Sequence, residues 1–228
     1  MGMHFGIVAV RTDVAQLIDA FATTWPSLEP KTSATLAGLD ALWAWMDANA
    51  HRVSAGAWSP DNPGTEVFGF WQDSAWAVML DPSYVQASDS KAMAALSERF
   101  GLVLSFVIET TGGCAFFSAF DQGKQLRSIV SIDGELNTVG ERLAEEAGLP
   151  DSTYYMDETE KLQLAFGIMP LEQMAADATV QGASFIDRTD YSAIRKVRED
   201  KARAAAASSC KSSAPQAAIA KRPWWRVW

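Results

Sequence analysis

Apolar and polar positions change period several times along the chain, and each change marks an element. Residues 3–10 are short, β-branched and aromatic, which predicts a strand, and Thr12-Asp13 then supplies the cap of a helix whose stripe is Val14, Leu17, Ile18 and Phe21. Pro26 and Pro30 interrupt that pattern. Leu39, Leu42, Trp43 and Met46 recur at i, i+3, i+4 and i+7, the spacing of a second amphipathic helix. Residues 54–65 hold two prolines and two glycines and read as loop. From Glu66 the period shortens: residues 67–72 and 75–80 flank Asp73-Ser74, a hairpin spacing.

Residues 89–100 form a further helical stripe with Gly101 at the C-terminal cap, and residues 102–108 are apolar at nearly every position. Such a run belongs in mid-sheet, covered on both faces. A second hairpin pattern joins 114–120 to 124–132 through Asp121-Gln122-Gly123, and Asp133-Gly134 marks another turn. Helices are predicted over 141–147, closed by Gly148, and after Asp157-Glu158-Thr159-Glu160, which has capping-box spacing before Leu162, Leu164, Ala165 and Phe166. Residues 171–176 predict one short helix more.

Consecutive hairpins imply antiparallel pairing, so the expected class is α+β: an antiparallel sheet of five or six strands with helices packed against it, plus a basic C-terminal tail. Residues 1–185 read as one acidic domain, 186–207 as a basic helical segment, and 208–228 as a linker with a Trp/Arg-rich end. From Ala202 to Ala220, nine Ala and four Ser fill 13 of 19 positions, a linker composition.

Composition narrows the function classes. With 228 residues, 48% apolar and 21% charged, the chain matches globular proteins and excludes collagen-like and wholly disordered readings. The net charge of −9 divides unevenly: residues 192–228 carry nine basic and two acidic side chains, +7, which leaves −16 on residues 1–191. A body so acidic repels phosphate, which argues against nucleic acid as its partner. No stretch is apolar for long enough to span a membrane, and the first residues lack the charged region of a signal peptide, so the expected location is cytoplasmic.

Candidate chemistry is sparse. The chain has two histidines, His4 and His51, and two cysteines, Cys114 and Cys210, with no zinc-site spacing, so no metal or cofactor is expected. Cys114 follows Gly112-Gly113 and reads either as a nucleophile or as a small residue at a strand start. Glu141, Glu145, Glu146, Asp151, Asp157, Glu158 and Glu160 form an acid-rich stretch, read as a solvated face with Asp157 and Glu160 capping a helix, or as paired carboxylates of a hydrolase. Trp45 lies about 200° from Trp43 on a helix, so one stripe does not bury both. Trp45, with Trp58, is therefore either packed within the chain or part of a recognition surface. Trp224, Trp225 and Trp228, interleaved with Arg222 and Arg226, suit a membrane interface, a nucleic acid, a protein partner, a second copy of this chain or its own acidic body, or else form an inert end.

The segments Trp76-Ala77-Val78-Met79-Leu80-Asp81, FFSAFDQGKQLRSIVSIDGE, GERLAEEAGLP and DETEKLQLAFGI resemble a class of small bacterial proteins that includes immunity proteins of polymorphic toxins. The resemblance implies a stoichiometric binding protein whose acidic surface meets a basic toxin; it carries no catalytic residue. A hydrolase using Cys114 or clustered carboxylates is the competing class.

Overall fold

The computed structural model describes residues 4–53, 59, 61–192, 196–197, 200–201 and 203. Nine strands build one sheet: β1 His4–Val10, β2 Leu28–Ala37, β3 Gly64–Asp73, β4 Trp76–Asp81, β5 Val103–Glu109, β6 Cys114–Asp121, β7 Lys124–Ile132, β8 Glu135–Val139 and β9 Thr179–Asp187. Their order is β2-β9-β3-β4-β1-β5-β6-β7-β8, and each neighbouring pair is antiparallel. The class is α+β, as the hairpin patterns imply, and β5 lies in the interior between β1 and β6. Four helices, α1 Val14–Thr24, α2 Gly38–Asn49, α3 Ser90–Phe100 and α4 Met156–Ala165, cover the sheet.

Side-chain alternation divides the core in two. Phe5, Ile7, Ala9, Val78, Leu80, Phe106 and Phe117 face α2 and α4, whereas Val8, Val10, Phe68, Phe70, Met79 and Val103 face α1 and α3. β1 and β4 are buried on both faces almost throughout. β6 and β7 instead alternate between buried and half-exposed positions, because only the α4 side of them is fully covered.

The strand count corrects the expected five or six. β2 was hidden by Pro30 and by a run of exposed Lys, Thr and Ser, which an edge strand tolerates and a central strand does not. Its register shifts between Pro30 and Thr32, where the missing N–H would otherwise break the ladder. β9, which the sequence pattern did not predict, extends to Asp187. Residues 141–147 are not a helix; only a 3-10 turn at 144–146 forms, and 171–173 is likewise a single 3-10 turn.

Caps account for the helix starts. Asp13 accepts from the Gln16 N–H at 2.8 Å, and Asp89 accepts from those of Lys91 and Ala92. For α4 the capping acid is Glu158, which takes the Tyr155 N–H at 3.1 Å, not Asp157 or Glu160. The β6–β7 turn places Gln122 and Gly123 at positive φ (47° and 77°), as a two-residue hairpin loop demands. Among the described residues, no helix is long and apolar enough to cross a membrane.

α2 explains the tryptophan puzzle. Gly69 on β3 and Gly182 on β9 are direct cross-strand partners. A Cβ at Gly69 would lie 2.4 Å from Leu42, and one at Gly182 would lie 2.5 Å from the Trp45 ring. The paired glycines thus form a trough into which Leu42 and Trp45, three positions apart, descend. Trp43 and Trp45 are both half-buried, sharing the contact that one narrow stripe could not give.

Candidate functional site

One end of the sheet, on the α1/α3 side, collects acids from many strands. β9 ends there with Asp187, β4 with Asp81 and β5 with Glu109, while β1, β3, β6 and β8 begin there. In register, His4 pairs with Glu109, Glu109 with Cys114, Cys114 with Ile132, and Ile132 with Glu135. Direct partners share a face, so these side chains form one row. Glu66, diagonal to Asp187 across β3–β9, extends it, and Asp133 adds a carboxylate in the β7–β8 turn. Eight strands at about 4.8 Å spacing make the row about 34 Å long.

Part of the row opens into a cleft of about 370 Å³, lined by His4, Arg52, Val53, Glu66, Ser83, Tyr84 and Glu109. Buried Asp81 organises one wall: its Oδ1 accepts from Ser83 N–H (3.0 Å) and Oγ (2.7 Å), and its Oδ2 from Gln86 (2.8 Å) and Ala87 (3.0 Å) N–H. Burial nevertheless raises the Asp81 carboxyl above the usual range, against the pull of those donors. Burial also raises Glu66, and the Asp187 and Asp81 carboxylates push it further, with Arg52 opposing. Tyr191 donates to Asp187 Oδ2 at 2.6 Å, and its hydroxyl is pushed up to about 12 by burial and by that carboxylate.

Beside this row lies the uncovered face of β6–β8. Its next two rows are Val107–Phe116–Val130–Asn137 and Ser105–Ser118–Ser128–Val139. Ile132 is 45% and Val139 66% exposed, and Phe116 and Val130 are half-buried. Where α3 overhangs this face, a groove of about 270 Å³ is walled by Met93, Val107, Phe116, Phe120 and Val130, with serines 88, 90, 105, 118 and 128 among its lining.

The arrangement disfavours Cys114 as a nucleophile. Its thiol donates to the Gly112 carbonyl at 3.2 Å, and partial burial followed by the Glu109 and Asp133 carboxylates pushes its pKa up, the opposite of thiolate activation. β5 separates His4 from Cys114, so the two lie two strand spacings, about 10 Å, apart. His51 bridges to Thr65 beside β3, four strands from β6, with Nε2 3.2 Å from Asn62 Oδ1.

The acid-rich stretch at 141–160 does not converge as a carboxylate pair either. Glu146 is buried and forms a bidentate pair with Arg127 (2.9 and 3.0 Å), and Asp151 pairs with Arg142. Trp45 rests on Gly182, whereas Trp58, Arg222, Trp224, Trp225, Arg226 and Trp228 lie outside the described residues. The acidic row and the open face were not singled out from the sequence; β6 and β7 carry a visible alternation, but Glu66, Asp81, Glu109 and Asp187 meet only through register. Among the described residues, no group of three potential metal ligands is assembled. No protein family, curated protein or solved structure matches the chain.

Proposed function

We propose that this chain is a protein-binding module, of the stoichiometric immunity type, and that the open face of β6–β8 with its acidic border receives a basic protein. The observation that carries this reading is the juxtaposition itself: an incompletely covered apolar patch of Phe116, Val130, Ile132 and Val139 adjoining the carboxylates of Glu109, Asp133 and Glu135, which reach solvent. Apolar side chains at the centre of an interface supply affinity, and like-signed charges at its border steer an oppositely charged partner and exclude others. A bacterial toxin of basic character, such as a nuclease, fits that chemistry.

The test is differential capture from the source cells. Ile132→Asp/Val139→Asp alters only exposed positions of the face, and Leu164→Asp alters an exposed position on α4. The wild type and the Leu164 variant are expected to retain one basic protein at 1:1 stoichiometry, and the face variant to lose it. Equal capture by all three contradicts the assignment.

A hydrolase-type enzyme is the second reading, favoured by Glu66, a carboxyl of raised pKa in a cleft that also holds His4 and Arg52. Under it, turnover of a substrate is lost in Glu66→Gln and no stoichiometric partner is found.

A further inference from the structure

We infer that residues 221–228 of this same chain occupy the α3-side groove on β6–β7, as a tethered ligand that a partner must displace. The inference rests on the reading of that face as a binding surface, and adds its resident occupant. The segment Lys221-Arg222-Pro223-Trp224-Trp225-Arg226-Val227-Trp228 combines three tryptophans with three basic side chains and no acid. The groove combines an apolar wall, Met93, Phe116, Phe120 and Val130, with serine hydroxyls able to accept an indole N–H.

Spacing and charge agree. A tryptophan seated over the Phe116–Val130 row places an arginine two residues along an extended chain, about 7 Å away. Two residues from Phe116 along β6 is Cys114, in the row that carries Glu109 and Glu135, with Asp133 beside it. The arginine therefore meets the acidic border while the indole fills the groove.

Reach agrees too. β9 delivers the chain at the acidic end of the sheet, and five strand spacings, about 24 Å, separate β9 from β6. The described residues 192, 196–197, 200–201 and 203 are helical. The 17 residues from 204 to 220 reach at most about 55 Å, more than the strand spacings between β9 and β6.

Hydrogen exchange on the full-length chain tests this without any partner, so failure here leaves the face reading standing. Wild type is compared with Trp224→Ala/Trp225→Ala/Trp228→Ala and with Ser128→Arg, which fills the groove from a half-exposed position. Amides at 87–93 and 114–130 are expected to exchange at least tenfold faster in the triple variant. Tryptophan emission of the wild type is expected to move to longer wavelength in Ser128→Arg, as the displaced indoles meet water. Adding a synthetic peptide of residues 221–228 is expected to restore protection to the triple variant, and sedimentation is expected to show a monomer throughout. Unchanged exchange in the triple variant overturns the inference, as does protection that depends on protein concentration, which assigns the groove to a second copy.

Discussion

Replacing Gly182 by alanine tests whether Trp45 belongs to the fold or to a recognition surface. The added Cβ would sit 2.5 Å from Cε3 of the indole, against an ordinary carbon separation of about 3.5–4 Å, so the ring has to move by about 1 Å or more. Gly182 does not have positive φ, and the penalty is therefore steric rather than conformational. Overpacking of this kind costs about 1–3 kcal/mol, and for a domain of this size that lowers Tm by about 2–12 °C. The informative measurement is a double-mutant cycle by urea denaturation with circular dichroism. Trp45→Leu alone is expected to destabilise by about 1–3 kcal/mol through lost burial, and in its background Gly182→Ala is expected to cost at least 1 kcal/mol less than in wild type. If the two changes add within about 0.5 kcal/mol, the indole does not rest on Gly182, and the account of α2 is wrong.

The Arg127–Glu146 pair is held at side-chain exposures of 9% and 3%, so Glu146→Ala strands a buried guanidinium and is expected to cost about 3–5 kcal/mol; Arg127→Met/Glu146→Leu is expected to recover most of that loss in the same denaturation assay. Glu66 has a folded-state pKa raised above its ordinary 4.5, so the stability linked to its protonation is complete below about 4.5 and is lost as pH rises through the raised value. Glu66→Gln is therefore expected to stabilise the fold near pH 7 and to give no gain near pH 4, and thermal melts across that range that show the reverse order contradict the assignment of burial and Asp187 as the cause.

The central half of the fold was legible because its signals are local. Residues 102–108 are apolar for long enough to demand two covered faces, and Gln122-Gly123 declares its turn chemically. β2 and β9 were not legible for the same reason inverted: β2 lies at the edge with its polar residues in solvent, and β9 is interrupted by Gly182, whose role emerges only when Trp45 is laid upon it. The site shows the same limit. Glu66, Asp81, Glu109 and Asp187 are far apart in sequence, and antiparallel register brings them to one end, whereas the contiguous acids at 141–160 are dispersed into an ion pair with Arg127, an α4 cap and solvent-facing positions. Proximity along the chain was a poor guide to proximity in space because a nine-stranded sheet reassigns neighbours every few residues.

The most direct measurement of the central claim is hydrogen exchange on the purified complex formed with the captured protein, at two salt concentrations. Relative to the free Trp224→Ala/Trp225→Ala/Trp228→Ala chain, the account predicts protection confined to 114–139 and the residues around Glu109, a 1:1 complex, and association that slows at high salt while protection at Phe116 and Val130 persists. Protection on the α2/α4 side with 114–139 unchanged, or turnover of a substrate with no stoichiometric complex at all, would contradict it.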